Sequence, residues 1–277
     1  MQNTPILIIG MARSGTTFVA NLLGGFDNVK VLIEPHILWR TGNFKHYFDD
    51  SFEVKEKIIQ RIRTRMNNYA DGMILVEKSP INCLRARLVH ATFPEAKIIF
   101  LEREKEDCIK SNYIRSLKRD SFNPSIIFKK YLGRYQDEDL QYSSDTMSVT
   151  KQLFYSDLFY FTYFVIKSFF YRNILKVFPF GPKLKDFSSL IKNYGLIDYH
   201  NTVFEKSLKN KQYYQEKYKN NLSVFKFERL CSEEKELSRL FDFCGFKYNK
   251  GMINNILQDI DIERINIGKK RNNKKFK

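Results

Sequence analysis

Five short apolar runs, separated by stretches with a helical pattern, constrain the fold of this chain more than any other feature. The runs are rich in Ile, Val, Leu and Phe: Pro5–Gly10, Val29–Ile33, Met73–Val76, Lys97–Leu101 and Leu222–Phe227. Continuous apolar runs of this length are typical of parallel strands covered on both faces of a sheet. They predict a central parallel sheet of about five strands.

The intervening segments have apolar residues at helical spacing. The predicted helices are Thr17–Leu23, Val54–Asn67, Cys83–Thr92, Glu106–Leu117 and Glu233–Cys244. Alternation of strand and helix predicts an α/β fold with three layers. The chain has neither a repeat of fixed period nor a linker rich in Gly, Ser or Pro, so we expect one domain over residues 1–277.

The charge balance indicates an anionic partner. Lys and Arg number 47 against 31 Asp and Glu, which gives a formal net charge of +16, while 43% of residues are hydrophobic. This composition excludes disordered and fibrous proteins. Nucleic acid, an acidic glycan, a membrane surface and a phosphate-rich small molecule all remain open as partners, because charge alone does not choose among them.

Cysteine and histidine usage gives no sign of a metal site or a disulfide framework. The four cysteines are widely spaced, without a C-x-x-C pair, and the four histidines are scattered. This usage favours a reducing compartment, so we expect a cytoplasmic location. The first apolar run is too short for a signal sequence and is expected to be a strand instead.

The middle of the chain is crowded with Phe and Tyr between residues 153 and 180. Asp157 and Lys167 interrupt this run, so it falls short of the roughly 20 apolar residues that a bilayer span needs. We expect a helical, aromatic-rich cap over about residues 120–220 that closes over the sheet. A pocket for an acceptor, or a contact with a membrane surface, is the alternative. The Lys- and Asn-rich tail, about residues 268–277, has no assigned role.

The segment Gly10–Thr17 (GMARSGTT) has the shape of a phosphate-binding loop, because it follows a strand and opens a helix. Its glycines are spaced as in the G-x-x-x-x-G-K-[ST] motif, in which backbone N–H groups and a helix N-terminus bind an anion. Thr16 stands where that motif has lysine, and Arg13 is the substitute cation. An ordinary ATPase is therefore disfavoured. A tight turn that binds nothing is the alternative.

A second anion site is predicted at the end of the fourth run. Arg103 follows that strand, and Ser111 lies eight residues later on the next helix. A strand-end arginine and a helix hydroxyl can converge on one phosphate at the carboxyl edge of a parallel sheet. The alternative is a surface salt bridge from Arg103 to Glu104 or Glu106.

Polar residues also follow the second and third strands, in Ile33–His36 (IEPH) and Glu77–Pro80 (EKSP). Glu34 is a candidate general base, and Lys78 is a candidate for stabilising negative charge on a transferred group. The alternative is that the two side chains pair with each other, or with Arg13, for structural reasons only.

Taken together, these motifs resemble the sulfotransferases that use 3′-phosphoadenosine 5′-phosphosulfate (PAPS), in the branch that contains carbohydrate and protein-tyrosine sulfotransferases and bacterial relatives. Their order and spacing match through about residue 117, and 222–249 is similar to that family's last strand and helix. Roughly half of the chain is covered. The resemblance implies a P-loop-like fold and an enzyme.

The resemblance also implies roles for individual residues. The loop would cradle the 5′-phosphosulfate, and a second pair would hold the 3′-phosphate; these residues are Arg13, Ser14, Gly15, Thr16 and Thr17, then Arg103 and Ser111. Glu34 matches the catalytic base, with His36 as a rival, and Lys78 and Arg13 match the cations that stabilise developing charge. Transfer would be direct and in line, adenosine 3′,5′-bisphosphate would be the product, and no metal is expected.

Two positions depart from the family pattern. Phe227 stands where the last strand commonly has Tyr before Glu, and residues 268–271 only loosely resemble the family's basic C-terminal loop. The expected acceptor is the hydroxyl of a carbohydrate or glycolipid, with peripheral membrane contact left open. The alternatives are a nucleoside or small-molecule kinase with a degenerate loop, and a basic nucleic-acid-binding protein, although no nucleic-acid motif is present.

Overall fold

A five-stranded parallel sheet forms the centre of the molecule. The computed structural model describes residues 3–40, 42, 48–51, 53–117, 155–174 and 178–260. The strands are β1 (Ile6–Gly10), β2 (Val29–Ile33), β3 (Ile74–Lys78), β4 (Lys97–Glu102) and β5 (Leu222–Lys226). They lie in the order β2-β3-β1-β4-β5, and every pair is parallel. The predicted α/β fold with a central parallel sheet is confirmed.

Helices cover both faces of this sheet. They are α1 (Thr16–Leu23), α2 (His36–Arg40), α3 (Glu56–Ala70), α4 (Ala86–Thr92), α5 (Lys105–Leu117), α6 (Tyr155–Asn173), α7 (Phe187–Tyr218), α8 (Phe227–Leu230), α9 (Glu234–Cys244) and α10 (Lys250–Asp259). Short 3₁₀ turns occupy Pro80–Leu84 and Lys219–Asn221. None of the helices in the described ranges is long and apolar enough to cross a membrane.

Several predicted boundaries are wrong. The third strand extends to Lys78 instead of ending at Val76, and the helix predicted over Val54–Asn67 covers Glu56–Ala70. The predicted helix Cys83–Thr92 is divided, because Pro80 opens a 3₁₀ turn and Arg85 then leaves helical geometry at φ −127° before α4 begins. Proline favours the first position of a helix, which explains the earlier start. The last strand ends at Lys226, since Phe227 already begins α8.

Alternating residues of β1 face two separate cores. Leu7 and Ile9 pack with α3, α4 and α7, whereas Ile6 and Ile8 pack with α1, α9 and α10. Successive side chains on a strand point to opposite faces, so each strand contributes to both cores. The result is the three-layer arrangement that the continuous apolar runs predicted.

Helix α7 lies in the region predicted as a cap, but part of it belongs to the core. Its backbone leaves helical geometry at Gly195, where φ is 85° and ψ is 172°. Beyond that point Tyr199, Val203, Tyr214 and Tyr218 are buried against the sheet. The second half of α7 is therefore a core layer. Residues 120–154 and 175–177 of the predicted cap, and the basic tail, lie outside the described residues.

The parallel arrangement brings the carboxyl ends of all the strands to one edge. Ile33 of β2 is in register with Lys78 of β3, and Gly10 of β1 is in register with Leu101 of β4. The segments that follow these strands carry the predicted site residues. They are consequently gathered at the edge where open α/β sheets bind ligands.

Candidate active site

The loop between β1 and α1 is a compact turn that Ser14 stabilises. The backbone N–H and the side-chain hydroxyl of Ser14 both donate to the carbonyl of Met11, at 3.1 and 2.7 Å. Arg13 lies in the left-handed region at φ 71°. Ser14 is almost fully buried. In this conformation both donors of Ser14 are committed to the turn itself.

Gly15 is required by packing as well as by conformation. Its φ is 88°, and a Cβ at this position would lie 2.0 Å from Cδ2 of Phe227. The ring of Phe227 thus lies directly against the loop. Gly15 is also the N-cap of α1 and has no side chain to cap the first N–H groups of that helix. Such groups are available to an anion.

The two predicted anion sites meet in the structure. The Nε of Arg13 donates to the hydroxyl of Ser111 at 3.1 Å, and Nη1 of Arg103 donates to the carbonyl of Arg13 at 2.8 Å. The alternative for Arg103 was a salt bridge to Glu104 or Glu106; its ion pair is instead with Glu228, at 3.8 Å. The loop, β4 and α5 therefore form one continuous polar surface.

This surface concentrates positive charge. Burial lowers the pKa of Arg13, and the charges of Arg103 and Arg115 lower it further. Arginine side chains carry a positive charge in proteins, so this surface is strongly basic. Sequence reasoning missed Arg115, although its position one helical turn after Ser111 places both side chains on one face of α5.

Asn112 supports the loop from behind. Its side chain is fully buried, and Nδ2 donates to the carbonyls of Ala12 and Cys108, both at 2.8 Å. Gly181 also packs closely against the loop, since a Cβ at this position would lie 2.9 Å from Cβ of Ala12. No motif pointed to Asn112; its position beside Ser111 was the one available signal. It fixes the backbone immediately before Arg13.

A cavity of about 190 Å³ lies beside this surface. It is lined by the loop, by the segment after β4 and by α5, α7 and α8, including Met11, Ser14, Arg103, Cys108, Ser207 and Glu228. The arginine-rich surface is therefore bordered by open space rather than closed by packing.

Glu34 and Lys78 form a close ion pair at the ends of β2 and β3. The Nζ of Lys78 donates to Oε1 of Glu34 at 2.6 Å, and Nε2 of His36 lies 3.3 Å from Oε2. Burial tends to raise the pKa of Glu34, but the charge of Lys78 and the contact with His36 outweigh it, so that pKa lies well below its ordinary range. The carboxylate is ionised at neutral pH.

His36 lies close to Glu34, although it belongs to a helix. Strand β2 ends at Ile33, so His36 does not share a strand face with Glu34; it begins α2 instead. The backbone of Glu34, at φ 54°, turns the chain sharply, and the imidazole still reaches the carboxylate. Both candidate bases therefore lie at the same place.

Glu77 anchors the helix that follows Glu34. It is fully buried, and its carboxyl accepts hydrogen bonds from Nε1 of Trp39 at 2.8 Å and from Nδ2 of Asn82 at 3.1 Å. Burial raises the pKa of Glu77 to about 7. Sequence reasoning treated Glu77 only as the neighbour of Lys78. An acidic residue inside an apolar strand, in a chain with a single Trp, was the available signal.

Across the described ranges, no group of three or more His, Cys, Asp or Glu side chains is arranged to hold a metal ion. The described side chains offer a carboxylate beside an ammonium group, at the same edge of the sheet as a cluster of arginines.

The comparisons with known proteins agree with this geometry. A sulfotransferase family model matches residues 30–156, a segment that includes Glu34, Lys78, Arg103 and Ser111 but begins after the loop. No curated protein sequence matches the chain.

A solved sulfotransferase structure shares the fold, and a second was also matched. The sulfotransferase domain from the curacin biosynthetic pathway superposes with a TM-score of 0.50 at 14% identity, covering 91% of this chain and 77% of that one. A sulfotransferase from Alicyclobacillus acidocaldarius has a TM-score of 0.47 at 14% identity, covering 89% and 83%. At such identities a likeness shows the fold alone. Together with the family match over residues 30–156, the shared fold confirms the resemblance found in the motifs: the chain is similar to sulfotransferases in that segment and in its fold.

Proposed function

We propose that this protein transfers a sulfuryl group from PAPS to the hydroxyl of a carbohydrate or glycolipid, releasing adenosine 3′,5′-bisphosphate. The observation that carries this proposal is the contact of Arg13 with Ser111 and Arg103, at 3.1 and 2.8 Å. It joins the phosphate loop to the second predicted anion site, as a donor with an anionic group at each end requires.

The described residues fit such a donor. The uncapped N–H groups at the start of α1, in Thr16 and Thr17, suit the 5′-phosphosulfate together with Arg13. Arg103 and Ser111 suit the 3′-phosphate, and Arg115 adds a third positive charge that the family resemblance did not include. When bound, PAPS supplies an activated sulfuryl group. The contribution of Ser14 is indirect, because it stabilises the turn.

The residues at the ends of β2 and β3 perform the proton and charge chemistry. Glu34 is ionised and can accept the proton of the acceptor hydroxyl as its oxygen attacks in line. Lys78 is almost fully buried and holds its ammonium group 2.6 Å from that carboxylate. It restricts Glu34 to one orientation and, with Arg13, stabilises negative charge on the group in transfer.

The acceptor and the location are inferred from bulk properties. The net charge of +16 suits an acidic glycan or the headgroup region of a glycolipid. Exposed aromatic side chains on α6 offer stacking surfaces for sugar rings or lipid. The four cysteines are free and buried, which suits a reducing, cytoplasmic compartment.

The direct experiment is transfer of labelled sulfate from PAPS to a panel of glycans, glycolipids, tyrosine peptides and phenols. We expect activity that a chelator does not reduce. A parallel thermal-shift comparison should show stabilisation by adenosine 3′,5′-bisphosphate and not by ATP with Mg²⁺. Preference for ATP with a strict Mg²⁺ requirement would instead identify a kinase and refute the proposal.

A further inference from the structure

One face of α6 is apolar and exposed. Phe159, Tyr163, Ile166 and Phe170 are 70, 56, 63 and 45% exposed. They are separated by four, three and four residues, and at 3.6 residues per turn they lie within about 60° of one another around the helix axis. They form a stripe, which we call the α6 stripe.

The other side of α6 is attached to the protein. Val165 is buried, and the ring of Tyr171 contacts that of Phe187 on α7 edge to face, with centroids 5.6 Å apart. These two residues lie about 120° to either side of the stripe. The helix is therefore fixed along one side, and the stripe is directed away from that side.

A contiguous stripe of this kind differs from ordinary surface composition. Single exposed apolar residues are common on soluble proteins, but rows of large ones mark surfaces that bind another molecule. Aromatic residues on one face with basic residues nearby are typical of helices that lie in the interface of a bilayer.

The surrounding charge selects the occupant. Among the described side chains between residues 159 and 197, the exposed basic ones are Lys167, Lys185 and Lys192, and the exposed acidic one is Asp186. A second copy of the chain, also at +16, would be repelled, whereas an anionic lipid surface would be attracted. The amino group of Lys167 lies 5.7 Å from the ring of Tyr163, so a cation already borders the stripe.

We propose that the α6 stripe docks this protein on an anionic lipid bilayer, with α6 in the plane of the headgroups. The chain after α6 continues to Gly181, which packs against Ala12 of the loop. A membrane contact at α6 is thus a short distance along the chain from the candidate active site, which suits a lipid-linked acceptor.

Vesicle sedimentation tests this proposal with the full chain. Vesicles of phosphatidylcholine mixed with phosphatidylglycerol should bind the protein, and vesicles of phosphatidylcholine alone should bind it much less. The double variant Phe159→Ser with Ile166→Ser should bind the anionic vesicles about tenfold more weakly or worse, because it removes apolar area from the interface. Circular dichroism checks that the variant is folded.

A matched variant tests whether the stripe itself is responsible. Tyr194 and Ile197 on α7 are 66 and 52% exposed, so Tyr194→Ser with Ile197→Ser removes similar side chains elsewhere and should bind as the wild type does. Equal loss in both variants, or equal binding to neutral and anionic vesicles, would overturn the proposal. So would a dimer that only the α6 variant disrupts. The assay contains neither donor nor acceptor, so its failure would leave the proposed sulfuryl transfer untouched.

Discussion

Two charged centres lie at the same edge of the sheet, and they are built in opposite ways. At the ends of β2 and β3, Glu34 and Lys78 neutralise each other at 2.6 Å. At the ends of β1 and β4, Arg13 and Arg103 lie together, and the nearest carboxylate recorded for Arg103, that of Glu228, is 3.8 Å away. One centre is complete by itself, whereas the other has excess positive charge.

This difference in charge balance suits the two centres to different tasks. A balanced pair holds a reactive carboxylate in place without a ligand, because each charge stabilises the other despite partial burial. Clustered arginines repel one another, and an anionic ligand bound between them would reduce that repulsion. The first centre therefore suits proton transfer, and the second suits binding of a polyanion.

The largest expected effect comes from removing the charge of Glu34, which breaks its ion pair with Lys78. Glu34→Gln should lower kcat about 100-fold or more, since it removes the general base, and should leave bisphosphate affinity nearly unchanged. Steady-state kinetics and calorimetry measure the two quantities. The control is Glu95→Gln, because Glu95 forms an ion pair of the same length with Arg63 just before β4, at the opposite edge. Full activity of Glu34→Gln would transfer the role to His36.

Removing one of the clustered arginines at the ends of β1 and β4 should have the next largest effect. Arg13→Ala and Arg103→Ala should each weaken binding of adenosine 3′,5′-bisphosphate by about tenfold or more, because each removes a charge-assisted hydrogen bond to phosphate. Calorimetric titration at two salt concentrations measures this.

The matched control for these variants is Arg63→Ala, which removes a paired arginine remote from this edge. Its bisphosphate affinity should equal that of the wild type. If Arg13→Ala and Arg103→Ala also retained that affinity, the assignment of the anion site would be wrong.

Asn112→Ala should have a smaller effect on the same centre. It removes two hydrogen bonds of 2.8 Å, one of them to the carbonyl before Arg13, and loosens the loop without removing a charge. We expect bisphosphate affinity to fall by about threefold to tenfold while its salt dependence stays that of the wild type. A reduced salt dependence would instead indicate that a phosphate-binding cation had been displaced.

The last prediction concerns stability rather than activity, at Glu77 next to Lys78. Its folded-state pKa is raised from 4.5 to about 7, so the folded protein holds the proton more tightly, and stability falls as pH rises through this interval. The shift corresponds to on the order of 3 kcal/mol. His200, whose pKa burial lowers to about 4, acts in the opposite direction below pH 6.5.

Comparison with Glu77→Gln cancels the contribution of His200. The stability of the wild type relative to this variant should decrease between pH 4.5 and 7 and then level off. Urea unfolding at several pH values measures the difference. A constant difference across that interval would contradict the assignment of a protonated Glu77.

Sequence reasoning located the strands and most site residues, because strand ends and glycine turns follow local rules. It placed Arg13, Glu34, Lys78, Arg103 and Ser111 at one edge, where the structure has them. It could not find Asn112 or Glu77, since their importance depends on contacts with Ala12 and Trp39 that are distant in sequence. It also assigned Tyr199 and Tyr214 to a cap, because aromatic composition does not distinguish core from surface.

The break in α7 at Gly195 has a consequence for how the protein can vary. The second half of the helix is fixed by the hydroxyls of Tyr214 and Tyr218, which donate to the carbonyls of Asn82 and Phe93. At Gly195 the backbone changes direction in open space: a Cβ at this position would have no heavy atom within 4 Å. Lys192, Asn193 and Tyr194, immediately before Gly195, are exposed, so their side chains can change without disturbing the sheet. We expect related proteins with different acceptors to differ in sequence just before Gly195. The packing of the second half of α7 against the sheet should stay the same.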